Sequence, residues 1–441
     1  MSFKNIIGIV LFLSVLTSCD KYLDVEPKGI VIPKRFEEFD GILNSETNTN
    51  SFPDHMAYLS DDLSASFSPI SQDPFANAYF WKEIIDDNND NSPAIWGTLY
   101  RQIYNTNIII NNVQDVSDAN EGQKNHLLGE ALAERAFAHF NLLTVFAKAY
   151  DPSTADQLPG VPWVDYTDVV SKTPDRSTLQ TTLNLIIDDL KAAENYLSSS
   201  RLNKTRINKA VAQAILSRVY LYMGDFDEAQ RYANLALQEP HEIIDYNFYY
   251  FPEQEEDPEI LLLRTSTEPS LIFDLTYSND LLKIFSPGDL RMDLFAFDFD
   301  GNYMRAENGI FAYSMYGIRF SELMLTKAEA LAHLGRLNDA LEVLNELRQL
   351  RIEASIYEPL FSNDISEVMD WILAERRREL AFGSSRWMDM KRLAHLKLGA
   401  SATRYSADLQ EIVTIDPSSY SFTYEIPSRV LMFNPDMETN F

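Results

Sequence analysis

The sequence predicts a mainly α protein, in which helical hairpins form a scaffold and a loop-rich half carries short strands. Three observations lead there. Cap residues open long stretches of helical periodicity. Two segments, 214–237 and 325–347, match one another as hairpins. Between them, from about 240 to 318, helical periodicity stops and aromatic, extended stretches replace it.

The helices come first. Ser92-Pro93 reads as an N-cap with a proline at the first helical position. Asp118 with Glu121, Ser177 with Gln180, Asp225 with Glu228 and Asp364 with Glu367 read as capping boxes. In each, a side-chain oxygen satisfies orphan N–H groups of a first turn. In the two hairpins, Gly224 and Gly335 lie in the turns, followed by Phe226 and Leu337, then by Ala229 and Ala340. This G-x-[FL]-x-x-A spacing is the tetratricopeptide signature: glycine ends one helix and alanine lets the next pack closely. The two turns lie 111 residues apart, whereas a tandem unit repeats every ~34. The fold class is therefore an interrupted tetratricopeptide-like helical-repeat scaffold with an irregular loop-rich half containing short strands. Helical repeats are expected at about 93–238 and 319–394, and irregular, ligand-side segments at about 45–92 and 240–318. Asp300-Gly301, between apolar alternations, predicts a β-hairpin.

The chain has 441 residues, 45% of them hydrophobic, enough for a large core. Its formal charge of −29 opposes binding to nucleic acid or to anionic lipid headgroups. Ile6 to Leu16 is an apolar run of 11 residues behind Lys4, short of the ~20 that a membrane-spanning helix needs. Leu16-Thr17-Ser18-Cys19 then looks like a bacterial lipobox, with the only cysteine of the chain at its end. Residues 1–18 are expected to be a lipoprotein signal peptide and 19–441 a single domain, with Cys19 as the lipidated mature N-terminus.

Chemistry-bearing motifs are sparse. No H-E-x-x-H, G-x-S-x-G or P-loop occurs. Asp86, Asn88 and Asp90 have calcium-loop spacing, but Asn91 and Gly97 stand where such a loop needs Gly and Glu. No cofactor is expected, calcium being the one ion that spacing admits. "ERRRELAFGSSRWMDMKR", 375–392, reads as a helix whose charges pair internally and whose Trp387 packs inside. Aromatic residues are 12% of the chain, and many lie outside the repeats. Rings stack on the C–H faces of sugars while Asp and Asn bond the hydroxyls. Tyr58, Asp61, Asp62, Phe80, Trp81, Tyr277 and Tyr303 are accordingly candidates for ligand binding, against the plainer reading that such rings form the core of the irregular half.

In chain order, "CDKYLDVEPKG", "WGTLYRQIYNTNIIINNV", "GEALAERAFAHFNLLTVFAKAY", "LPGVPWVD", "RINKAVAQAILSRVYLYMGDFDEAQRYA", "YGIRFSELMLTKAEALAHLGRLNDALEVLNELR", "AERRRELAFGSSRWMDMKRL" and "IPSRVLMFNPDMETN" resemble the SusD/RagB family of outer-membrane nutrient-binding lipoproteins. The resemblance implies a surface-exposed lid, lipid-anchored to the outer membrane, on a SusC-like TonB-dependent transporter. Such a lid captures an oligosaccharide or a peptide, delivers it, and performs no bond chemistry. "AFGSSRW" lacks an acidic residue often found in the family between the Phe and the Arg-Trp. A third expectation, from another class, is a periplasmic tetratricopeptide-type adaptor that only joins proteins.

Overall fold

The computed structural model describes residues 33–45, 49, 52–65, 74–168, 172–250, 252–266, 275–306, 315–406, 411–416 and 422–441. Cys19 and the predicted signal peptide lie outside them. The longer helices are α1 (Phe36–Leu43), α2 (Ala94–Asn112), α3 (Glu121–Phe146), α4 (Leu179–Tyr196), α5 (Lys209–Met223), α6 (Phe226–Ala236), α7 (Phe320–His333), α8 (Leu337–Arg348), α9 (Ile365–Glu379) and α10 (Ser385–His395). The fold is mainly α, as the sequence predicts.

Helices α2 to α6 pack in sequence order, each on the next. The stack then continues from α6 directly onto α7, and α7 holds α8 and α9. Residues 237–319 leave the stack and return to it, so the repeats interrupted in sequence are neighbours in space. The turns work as expected. Gly224 and Gly335 have φ of 74° and 76°, a left-handed conformation that costs glycine least. Ala229 and Ala340 are fully buried at the contacts that follow.

Helix α3 is the axis of the core. From Gly129 to Phe146 every residue is buried, which suits a helix covered on all sides. Alanines 131, 133, 136 and 138 keep it narrow where α2 and α4 flank it. Its last carbonyls lack intrahelical partners. Trp387 Nε1 donates to the Thr144 carbonyl at 3.0 Å, and Lys391 Nζ donates to those of Thr144 and Ala147 at 2.6 Å. Trp387 is thus inside, as expected.

Two N-caps stand where predicted, Asp225 on α6 and Asp364 on α9, as simple caps that accept from the Glu228 and Ser366 N–H groups and not as the capping boxes expected. Three differ. Helix α2 starts after Pro93, and Asp86 Oδ1, not Ser92, accepts from the Ala94 N–H at 3.1 Å. Helix α3 uses the box Asn120–Gln123, while Asp118 accepts from the Phe36 N–H at 3.0 Å and docks α1. Helix α4 uses Thr178, one residue past Ser177. These loops offer several short polar side chains, and tertiary contacts choose among them.

The strands are short: β1 (Leu63–Ser64), β2 (Pro159–Pro162), β3 (Arg176–Thr178), β4 (Ile260–Leu262), β5 (Thr276–Tyr277), β6 (Ala296–Phe299), β7 (Asn302–Arg305), β8 (Ile318–Arg319), β9 (Ala402–Ser406) and β10 (Glu411–Ile415). One antiparallel sheet has the order β1-β5-β7-β6. β6 and β7 form the predicted hairpin, with Asp300 and Gly301 both at positive φ in its turn.

A buried ion network ties the looped-out segment to the helices. Glu379, on α9, accepts from Arg291 at 3.0 Å, Arg319 at 2.9 Å and Arg351 at 2.9 Å. Glu259, just before β4, accepts from Arg319 at 2.5 Å and Arg351 at 2.8 Å. The charges of 375–392 therefore pair mostly between elements, as in Arg376 with Asp389 at 2.8 Å. Arg378 with Glu375, at 2.6 Å, is a pair within one helix.

Candidate aromatic ligand surface

The irregular segments 58–81 and 277–303, far apart in sequence, meet in the four-stranded sheet. Leu63 pairs with Tyr277, Thr276 with Met304, and β7 carries the register to β6. At the usual strand spacing, β1 and β6 lie ~14 Å apart.

The seven candidate side chains divide into four buried, two half-buried and one exposed. Tyr58 and Tyr277 are buried. Tyr277 meets Phe382 edge-on at 4.7 Å and donates its hydroxyl to the Phe295 carbonyl at 3.3 Å. Asp61 and Asp62 are buried as well. Arg386 grips both Asp61 oxygens at 2.6 and 2.8 Å, and Arg377 Nε reaches Asp62 at 2.9 Å. Burial raises the Asp61 carboxyl, but Arg386 and Arg377 outweigh it and hold the group down to about 2. These four side chains are committed to the protein interior and present no surface to a ligand. Asp61 and Asp62 tie the loop before β1 to α9 and α10.

Phe80 and Trp81 are half-buried. The Trp81 indole N–H donates to the Leu59 carbonyl at 2.8 Å. The Arg404 guanidinium lies 3.9 Å from the Tyr79 ring centre and 4.2 Å from that of Trp81. It also donates to the carbonyls of Tyr58, Tyr79 and Ser60. Trp81 itself has φ 50°, a conformation rarely adopted by a bulky residue and found where surroundings enforce it. The ring is therefore held by two contacts, the Leu59 carbonyl and the Arg404 guanidinium.

Of the candidates only Tyr303 is exposed, on the β6–β7 hairpin, where two rings not among the candidates join it. Tyr303 is 38% exposed, and Phe297 and Phe299 are 46% and 58% exposed. Side chains alternate along a strand, so Phe297 and Phe299 share one face while Tyr303 shares the other with Asp298. Phe248 and Tyr250 extend the aromatic area at 84% and 57% exposure. They flank Tyr249, whose ring packs edge-on against Phe295 at 5.2 Å. The composition of 246–251 and 295–303 marks these stretches as aromatic. Which ring points outward depends on pairing register, which a sequence pattern leaves open.

One polar pocket elsewhere is filled by its own ion pairs. A cavity of about 340 Å³ lies between α1 and α3, but its Arg206 is held by Glu130 and Asp40 at 2.7 Å each. Asp86 serves as a cap, and burial pushes its carboxyl up to about 6. Among the described residues, no group of three or more His, Cys, Asp or Glu is placed to hold a metal ion. A fixed, half-buried indole and the exposed rings of the β6–β7 hairpin suit a ligand with flat apolar faces.

Comparison with known proteins agrees with this architecture. A family described as "Starch-binding associating with outer membrane" matches residues 21–221, and one described as "SusD family" matches residues 300–440. Two SusD-like proteins of Formosa agariphila are 22% and 23% identical to this chain. Their alignments cover 88% and 90% of it and 92% and 91% of the relatives. A SusD superfamily protein from Bacteroides thetaiotaomicron superposes with a TM-score of 0.77 at 21% identity, over 92% of this chain and 100% of that one. A SusD-like carbohydrate binding protein from Bacteroides vulgatus gives 0.73 at 18% identity, over 92% and 98%. The family matches at both ends of the chain, the end-to-end structural likeness and the helical stack with its looped-out segment agree: the chain belongs to the SusD/RagB family.

Proposed function

We propose that this protein captures an oligosaccharide nutrient at the bacterial cell surface and delivers it to a SusC-like TonB-dependent outer-membrane transporter. The observation that carries the reading is the set of aromatic rings near the four-stranded sheet: Phe297 and Phe299 exposed on one face of its outer hairpin, Tyr303 on the other, and Trp81 held by Leu59 and Arg404. The family descriptions, starch binding and outer-membrane association, point the same way. Cys19 would carry the lipid anchor, and more than one acyl chain makes such anchoring stable. A lid held on its transporter presents ligand at high effective concentration, so weak binding suffices. Binding of this kind needs no bond chemistry.

A peptide ligand is the second reading. Strand β6 is the outer strand of the sheet, and an extended peptide can add to such an edge through backbone hydrogen bonds. Calorimetry against a panel of glycans and peptides separates the two. With a bound glycan, Trp81→Ala and Tyr303→Ala should each weaken affinity by about tenfold, the value of a lost stacking contact. Unchanged affinity in both variants would remove these rings from the site.

A further inference from the structure

We infer that the ligand of this surface is a glycan without anionic groups, so that neutral sugars are taken and sulfated or uronate-rich chains are refused. The inference rests on the glycan reading above and goes on to its charge class.

Recognition of sulfate or carboxylate groups calls for exposed arginine or lysine, arginine above all, because its planar fork matches such anions. The segments that build the surface are 52–65, 74–83, 245–306 and 402–406. Their described residues contain four arginines, Arg264, Arg291, Arg305 and Arg404, and none is more than 5% exposed. Each is turned inward. Arg264 pairs with Glu134 at 2.5 Å and Arg291 with Asp289 at 2.7 Å. Arg305 lies over the Phe382 ring at 5.1 Å, and Arg404 is held by backbone carbonyls. Arginine is not hidden throughout this protein: Arg101, Arg231 and Arg336 of the helical scaffold are exposed. Other scaffold arginines, Arg135, Arg218 and Arg376 among them, are buried; what marks these segments is that none of the arginines among their described residues is exposed.

The exposed charges of these segments are mostly of the opposite sign. Glu253, Glu255, Glu256, Asp293, Asp298 and Asp300 all face solvent. The exposed cations of these segments are Lys82, followed by exposed Glu83, and Lys283, paired with Asp280 at 2.8 Å. Asp298 and Asp300 stand among the exposed rings of the hairpin. An anionic sugar stacked there lies within a Debye length, ~8 Å at physiological salt, of both carboxylates. The rings add to the repulsion, because the face of an aromatic ring is negative. A neutral sugar meets neither penalty: its C–H faces stack and its hydroxyls donate to the same carboxylates.

The test is calorimetry of the intact mature protein. Neutral glucan, mannan, galactan and xylan oligomers are set against polyuronate and sulfated-galactan oligomers of matched length, at low and high salt. A neutral oligomer should bind with an affinity that salt changes by less than about twofold, as expected when no charge pair forms. Anionic oligomers should bind at least about tenfold more weakly, from repulsion by two nearby carboxylates. The variant Asp298→Asn/Asp300→Asn, which removes both charges and keeps an acceptor oxygen at each position, should narrow that gap. Tight, salt-sensitive binding of an anionic oligomer by the unaltered protein overturns the inference and leaves glycan capture standing. Binding of peptides and of no glycan overturns the capture reading, and this inference with it.

Discussion

Replacing Glu379 with alanine probes how the looped-out segment is held to the helical stack. The carboxylate accepts from Arg291, Arg319 and Arg351, all fully or almost fully buried. Removing one partner from a buried ion pair costs about 3–5 kcal/mol, because a charge is left without compensation. Here each arginine keeps another carboxylate. Arg351 and Arg319 keep Glu259, and Arg291 keeps Asp289 at 2.7 Å. The cost should therefore fall at the lower end, about 3 kcal/mol, or about two orders of magnitude in the folding equilibrium. Urea unfolding followed by tryptophan fluorescence reads it, since Trp387 and Trp96 are buried. Glu379→Gln, which keeps shape and one acceptor oxygen, should lose less. Combining Glu379→Ala with Arg351→Ala should give a coupling of at least about 1 kcal/mol, as expected for groups in one network. Midpoints unchanged in both single variants, or strict additivity in the double, would refute the argument that this network holds the two parts together.

Two further outcomes are expected. The Glu375 carboxyl, raised by burial but drawn down more strongly by Arg291 and Arg378, sits at about 2 against an ordinary 4.5, and Asp61 also sits at about 2. Depressed carboxyls contribute stability above their unfolded values and lose it as pH falls, so the urea midpoint should drop steeply between about pH 4.5 and 2; a flat profile there would contradict the pairing. Cys19→Ala should release the protein from the outer-membrane fraction while its far-ultraviolet circular dichroism stays unchanged; retention in that fraction would show that the anchor lies elsewhere.

Local chemistry made much of the scaffold legible. Gly224 and Gly335 end their helices because only glycine adopts that backbone cheaply, and Asp300-Gly301 makes its turn for the same reason. Asp225 and Asp364 cap because a short carboxylate reaches the first free N–H groups. Where a loop offered several such groups, as before α3 and α4, the sequence placed the cap one or two residues too early. The choice there depended on neighbours such as α1, which takes Asp118 for itself.

The candidate site was legible by segment and not by side chain. Residues 58–81 and 277–303 announce themselves by aromatic content, and the sheet does join them. Tyr58, Asp61, Asp62 and Tyr277, however, are buried, and Phe297 and Phe299 are exposed. Asp61 and Asp62 look like ligand groups in one dimension because their partners, Arg377 and Arg386, lie more than three hundred residues away. The sequence by itself determined the helices, their turns, the acidic charge and the family, since these rest on short-range spacing and composition. The tertiary structure alone decided that α6 continues onto α7, which rings face water, and that Arg264, Arg291, Arg305 and Arg404 turn inward. Each of those depends on which distant segments come together to exclude water and neutralise buried charge, and that is settled only when the whole chain packs.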